Sequence, residues 1–300
     1  MQDSIKKLNY FVMPTLMLGY MTMGLVLFIW AGFSLTARAV GSSPLAIADV
    51  ALIRFAVPLI LLMPFVIKHL DAIKKVRLSD ILFILLGGIP FLFFALWGAK
   101  SAPTAYVGTI LAGTPPLFVA LISCFFYRQV ITKKRLFSLS LIFIGVLVML
   151  FADQNELSTN LLQGVGFLVC ASIVWATYTI GLKRAAIDAI SVAIILSYLS
   201  FFIILGLTLS GVLHSNWGTF TIQEALPFLL AQGIGVGFLA TIGFSYAVSQ
   251  LGSTRTSIMG ALSPGVAALL AVPIFNEPLS TAIIFGITLT MAGVVLSSRN

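Results

Sequence analysis

Apolar runs long enough to cross a bilayer recur along nearly the whole of this 300-residue chain, and they leave it few folds to choose from. They fall near residues 14–37, 45–67, 80–99, 102–126, 136–151, 161–182, 189–213, 224–247, 254–275 and 280–297. A helical span takes about 20 apolar residues, so ten spans use about 200 and leave only short connections. Lipid donates and accepts no hydrogen bonds, so the backbone within it must satisfy itself. The charge content agrees: 9% of residues are charged, against about 25% in soluble chains. The expected fold is all-α and integral to the membrane, with ten transmembrane helices and no soluble domain of ordinary size.

The net charge of +8 would suit a nucleic-acid binder, but in a membrane protein the placement of Lys and Arg reports orientation first. With the N-terminus in the cytoplasm, that side holds Lys6, Lys7, Lys68, Lys74, Lys75, Arg77, Arg128, Lys133, Lys134, Arg135, Lys183, Arg184, Arg255 and Arg299, which is 14 of 17. The far side keeps Arg38 and Lys100, and Arg54 falls inside a span. A miscounted helix would scramble this bias, so both termini are expected in the cytoplasm and no nucleic-acid role is needed. The expected location is the cell (inner) membrane, multi-pass. The start, MQDSIKKLNYF, is basic, yet the apolar run after it continues past Trp30 with no small-residue cleavage site, as in a first span rather than a signal peptide. Cys124 and Cys170 lie inside apolar runs, where packing is expected in place of a disulfide.

The chain also matches itself. Trp30-Ala31 lies over Trp175-Ala176 at an offset of 145, with Arg38 over Lys183 nearby. At 149, Gly88 meets Gly237, Trp97 meets Tyr246 and Pro115 meets Pro264, and at 148 Ile144-Gly145-Val146 meets Ala292-Gly293-Val294. The order of the matches indicates a repeat, with halves at 14–151 and 161–297. Five helices in each half is an odd number, so the second half enters from the opposite face and the two are inverted. Inverted repeats are a recurring plan of secondary transporters, with the solute site near the midplane between the halves; a duplicated structural protein is the plainer alternative.

Several of these residues together resemble a known family. The two five-helix halves, a tryptophan in the first helix of each, a proline in the fourth helix of each (GTPPLF and ALSPGV), and the turn Asn276-Glu277-Pro278-Leu279-Ser280 look like the drug/metabolite transporter superfamily, EamA type. The resemblance covers about 16–297 and implies a transporter, with metabolite export as the direction it suggests. One departure stands out: at the same offset the first half has Arg128 where the second has Glu277, so a role needing a symmetric acidic pair is in doubt.

The polar and aromatic residues within the spans are the candidates for solute binding. Arg54 lies about nine residues into the second run, roughly 13 Å deep at about 1.5 Å per residue. There it either faces a cavity or a partner, where its planar fork can hold a carboxylate or phosphate, or it reaches the interface beside Asp49. Trp30, Ser34 and Arg38 share a helical stripe, as do Trp175, Thr179 and Lys183, with Tyr178 one turn from Trp175. Such stripes suit a cavity for a solute with a flat or apolar body and a polar end; interfacial belts and helix-ending cations are the alternative. Trp97 and Tyr246 occupy matching places near the ends of the third and eighth helices, open to the same two readings. Gln232 and Gln250 are polar but have no phase argument. Pro115, Pro116 and Pro264 are expected to kink the fourth and ninth helices at matching levels, as candidate moving elements, and Gly233 and Gly237 form a GxxxG for close helix packing.

Signatures of catalysis are missing from the sequence. His69 and His214 give no metal spacing, no Walker-type GxxxxGK[ST] occurs, and Asp153 and Glu156 sit together in an outer loop. Neither enzyme activity, cofactor nor metal is expected, and Glu277 is expected to orient its turn rather than carry protons. The reading is a secondary carrier for a small amphipathic metabolite, an amino acid or related compound, working by alternating access, with the bilayer and the solute as its partners and the coupling ion left open. A lipid or lipid-linked sugar flippase needs a lateral opening; an integral-membrane enzyme needs a compact titratable constellation at one face; a scaffold needs a packed centre, to which Arg54 is ill suited.

Overall fold

A chain with no solvent to bond its backbone has to coil, and the computed structural model, which describes residues 2–151 and 158–299, is helical throughout its described regular elements. The outer loop with Asp153, Asn155 and Glu156 lies outside the described residues. Nine described segments are long and apolar enough to cross a bilayer, and Thr281–Ser297 is a shorter apolar helix. The chain is therefore a multi-pass membrane protein.

The first two spans are the long helices α1 (Gln2–Ala39) and α2 (Ile47–Lys74). The third is divided into α3 (Leu78–Leu86) and α4 (Ile89–Ser101), and the fourth into α5 (Thr104–Gly113) and α6 (Pro115–Tyr127). Next come α7 (Lys133–Phe151), α8 (Thr159–Ala185) and α9 (Ala189–Leu209). Then α10 (Ile222–Phe228) passes through a π-helical segment, Leu229–Leu239, into α11 (Ala240–Leu251). The chain ends with α12 (Ser253–Gly260), α13 (Ser263–Phe275) and α14 (Thr281–Ser297). Several starts are capped by side chains that accept first-turn N–H groups: Ser158 from Leu161, Asp188 from Ile190 and Ser191, and Ser280 from Ile283. The Asp188 carboxyl is partly desolvated, which would raise its pKa, yet the bonds from Ser191 and the nearby His69 hold it below the ordinary carboxylate range.

The prolines act differently from the expected kinks. Pro115 and Pro116 open α6, and Pro264 is the second residue of α13. A first-turn proline lacks an N–H that would have no partner anyway, so ending one helix and starting another is cheaper than bending a continuous one. These two spans are broken, not kinked. Both α6 and α13 run 13 residues and end on left-handed residues, Arg128 (φ 51°) and Asn276 (φ 54°). Their bounds correspond at an offset of 148, which sets Pro116 against Pro264 and Gln129 against Glu277. The offset of 149 had paired Pro115 with Pro264 and Arg128 with Glu277. Cys124 and Cys170 are free thiols on exposed faces, so as small apolar groups they meet lipid and not the core.

Helix pairs assemble through small residues. The main pairs are α1 with α11, α2 with α9 and with the π-helical segment, α4 with α8, α5 with α13, and α7 with α14. Between α7 and α14 the backbones nearly touch: a Cβ on Gly286 would lie 2.5 Å from Gly145 O, and one on Gly293 would lie 2.7 Å from Ser138 O. Such small-residue seams replace the hydrophobic effect, which lipid does not supply between helices. The outer surface is correspondingly apolar, with Ile67, Phe125, Phe126 and Leu209 all exposed.

Gly286→Ala is expected to push α14 off α7 and lower stability by about 1–3 kcal/mol, the usual range for overpacking. Thermal unfolding of the purified protein in detergent measures this; an unchanged midpoint would mean the seam can give.

Candidate functional site

Close packing of the eighth span against α2 places a cation in the middle of the bundle. Gly233 and Gly237, the expected GxxxG, meet α2 at Val57 and Ile53 O, and at Arg54 O and Pro58, while Gly235 meets Ile29 of α1. Pro58 has no N–H to give the Arg54 carbonyl, so α2 lacks one helical bond at the level where Gly237 lets the neighbouring backbone approach. The π-helical segment carries Gln232 into the same contact. π-Helical turns often mark functional positions.

Arg54 is 7% exposed and, among the described residues, makes one hydrogen bond, from Nη1 to Gln232 Oε1 at 2.9 Å. Gln232 is fully buried and donates from Nε2 to Thr36 Oγ1 at 2.9 Å, and Thr36 in turn donates to Gly32 O. Among the described residues no carboxylate pairs with Arg54, since the ion pairs there are Arg38 with Glu277, His69 with Asp188 and Arg184 with Asp80. Asp49, the neighbour the sequence offered, is used elsewhere. It accepts from Ala46 N, Ser215 Oγ and Asn216 N, tying the loop before α10 to the start of α2.

Aromatic side chains line the other side of the guanidinium. Its Cζ lies 5.2 Å from the Phe33 ring centroid, Phe33 stacks on Phe91 at 6.1 Å, Phe91 meets Trp175 at 4.7 Å, and Trp175 meets Tyr178 at 4.9 Å. Tyr178, 9% exposed, ends this row of rings. A cation over an aromatic face is a favourable pair, but it neutralises no charge. The arrangement can hold an anionic group against Arg54 and a flat apolar body against the rings.

The structure brings only some of the candidates together. Arg54, Trp175 and Tyr178 share this cluster. Ser34 is buried one residue from Phe33. Thr179 turns its hydroxyl back to Trp175 O at 2.8 Å. Trp30 belongs to a different packing group, against Phe244 at 5.4 Å and against Gly260. Trp97 is 42% exposed among Phe93, Phe94 and Phe167, as a belt residue would be, and Tyr246 is half-buried on α11. Gln250 is half-buried beside Ser249. Phe33, Phe91 and Thr36 are additions that apolar composition hid; a signal for Phe91 was the helix-breaking Gly87-Gly88-Ile89-Pro90 just before it.

Polar ties close the bundle at both ends. Arg38 Nε donates to Glu277 Oε1 at 2.8 Å, its Nη1 donates to Lys100 O at 2.9 Å, and Glu277 Oε2 accepts the Thr104 N–H at 2.7 Å. Glu277 thereby joins its turn to α1 and α5. At the opposite end Arg184, not its neighbour Lys183, pairs with Asp80 at 3.1 Å and lies over Phe83. His69 sits against Asp188 and Ser191, linking α2 to α9. No group of three or more His, Cys, Asp or Glu that could hold a metal occurs among the described residues.

Comparison with known proteins gives a consistent answer. The model of the EamA-like transporter family matches residues 17–151 and 162–299. The chain is 25% identical to the uncharacterized transporter YyaM of Bacillus subtilis, over 98% of this chain and 95% of that one. It is also 25% identical to an uncharacterized transporter of Clostridium kluyveri, over 83% and 82% of the two chains. A crystal structure 17% identical to it superposes with a TM-score of 0.61 over 95% of this chain and 96% of the other, a likeness of fold.

Gln232→Leu leaves Arg54 without its hydrogen bond and should cost about 1–3 kcal/mol, whereas Gln232→Glu supplies a counter-charge and should be at least as stable as the parent. Thermal unfolding of both variants checks the pair; equal midpoints would mean that Gln232 does not hold Arg54.

Proposed function

The chain belongs to the EamA-like transporter family, within the drug/metabolite transporter superfamily, and on that premise we propose that it is a secondary carrier that exports a small amphipathic carboxylate, an amino acid or related compound, by alternating access. The observation that carries the substrate class is Arg54, a buried guanidinium bonded to a neutral amide and faced by aromatic rings, with no carboxylate of its own among the described residues. A cation at this depth costs at least about 2.5 kcal/mol on insertion scales, and a bound anion recovers part of that cost. Phe33, Phe91, Trp175 and Tyr178 then take the apolar body. Export is the direction the family resemblance suggests.

The proposed architecture is ten helices in two inverted halves, with both termini cytoplasmic. The helix pairing favours it. Numbering the spans one to ten, the contact of the first with the eighth has its counterpart in the sixth with the third. The second packs on the seventh, the fourth on the ninth and the fifth on the tenth, each against its own equivalent. The Gly145–Gly286 approach likewise has its counterpart in Gly293 against Ser138. Alternating access would open one polar tie while the other holds: Arg38–Glu277 on the outer side, Arg184–Asp80 on the inner.

Cells overproducing the parent protein should release one class of carboxylate to the medium at least tenfold more than cells overproducing Arg54→Ala at matched membrane levels, read by untargeted metabolite profiling. Equal release by the two would remove Arg54 from the pathway. For orientation, single cysteines replacing Ser215 should react with an impermeant thiol reagent from outside, and those replacing Lys74 or Lys133 should not; the opposite pattern would invert the topology.

A further inference from the structure

The third span is interrupted where the sequence reads Leu86-Gly87-Gly88-Ile89-Pro90, and the interruption leaves backbone acceptors without donors inside the bundle. In a continuous helix the Leu86 carbonyl would accept from the residue four on, but that residue is Pro90, which has no N–H. Gly87 O, whose helical donor would be Phe91, accepts no hydrogen bond either among the described residues, while Leu85 O and Gly88 O are bonded by Gly88 N and Leu92 N, each at 3.0 Å. Gly88 has left helical geometry, with ψ −108°. Both glycines are buried, and non-helical backbone at membrane depth is tolerated only within protein or along a cavity.

Two side chains meet the break, and glycine is required for both contacts. A Cβ on Gly87 would lie 2.7 Å from the Tyr178 ring, and one on Gly88 would lie 2.5 Å from Ser200 Oγ. Ser200 is 0% exposed and its hydroxyl has no partner among the described residues. Leaving such a group unsatisfied is costly, so an oxygen aimed at a broken helix is a sign of an absent guest. The level is right for the solute. Tyr198 Oη donates to Leu59 O, and α2 and α9 run antiparallel, so five residues outward along each helix Arg54 is level with Ile203. Ser200 is three residues from there, about 4–5 Å along the axis.

Carbonyl oxygens, a hydroxyl and the faces of Tyr178 and Trp175 all present negative potential, the opposite of Arg54 across the same aromatic lining. We propose that the break at Gly87–Gly88, together with Ser200, is a cation subsite of the transport path, in which the Leu86 and Gly87 carbonyls and the Ser200 hydroxyl receive a positive group. The group is either the ammonium of the solute itself or a small monovalent cation that travels with it. The inference rests on the reading of Arg54 as the carboxylate site, to which it adds the opposite pole.

The full-length protein in detergent, titrated with phenylalanine and with 3-phenylpropanoate in sodium or choline chloride and followed by thermal shift, tests it. The two probes differ in the ammonium group. The expected result for the parent is at least tenfold tighter binding of phenylalanine in either salt, if the ammonium fills the subsite, or at least tenfold tighter binding of 3-phenylpropanoate in sodium than in choline, if an ion does. Ser200→Ala, which removes one oxygen atom, should cut that factor below threefold and leave binding of 3-phenylpropanoate in choline unchanged. Gly88→Ala, which displaces Ser200, should do the same. A parent with neither preference, or a Ser200→Ala protein that keeps the factor, overturns the subsite while Arg54-dependent carboxylate binding stands. Absence of carboxylate binding, or its indifference to Arg54→Ala, overturns the Arg54 reading and the subsite with it.

Discussion

Holding a guanidinium in an apolar interior with only a neutral hydrogen-bond partner is the constraint around which this bundle is organised. Arg54 cannot rely on solvent and has no carboxylate to neutralise it among the described residues, so its position has to be fixed by packing. Three glycines of the eighth span let α2 and α1 come close enough for Gln232 to reach both Arg54 and Thr36, joining three spans through one amide. Any larger residue at Gly233 or Gly237 would move the amide, the arginine or both. The partner held against it is polar but uncharged, so the charge itself is not neutralised by that bond.

The same economy of side chains explains the interrupted helices. Breaks at Gly87–Gly88, at Thr114 before Pro115 and between α12 and α13 supply polar backbone inside the membrane without adding ionisable groups. At the second of these, Thr114 donates to Ser172 Oγ at 2.6 Å, so the backbone turn is sealed by a side-chain bond to α8. Among the described residues the first break lacks such a seal.

Much of this was legible in the sequence, for identifiable reasons. Spans are visible because lipid forces long apolar runs, and Arg54 is visible because a charge within such a run is expensive. Trp175 and Tyr178 could be placed on one stripe because helical phase is regular. Phase fails where the helix does: the π-helical turn around Gln232 changes the spacing, so no periodicity could have aimed it at Arg54. A linear pattern does not tell a bent helix from two short ones, so prolines that suggest kinks in the sequence stand at helix starts in the fold, and an offset taken from Pro115 and Pro264 differs by one residue from that of the helix bounds. Arg38 and Glu277 are 239 residues apart and Arg54 and Gln232 are 178 apart; such pairings depend on how helices are arranged, which composition does not encode. Trp30 and Trp175 looked equivalent, yet one fills a gap at Gly260 and the other lies in the row of rings.

The tie at Arg38 shapes the potential that a travelling anion would feel. Because Glu277 and the carbonyl of Lys100 already occupy that guanidinium, the rim of the bundle offers little attraction to a carboxylate, and on the proposed reading of Arg54 the deeper energy well would lie further in. A solute released from the centre would therefore meet no second trap of like strength at Arg38 on its way past. To linger there it would have to displace a carboxylate that is part of the chain, held beside its partner at high effective concentration.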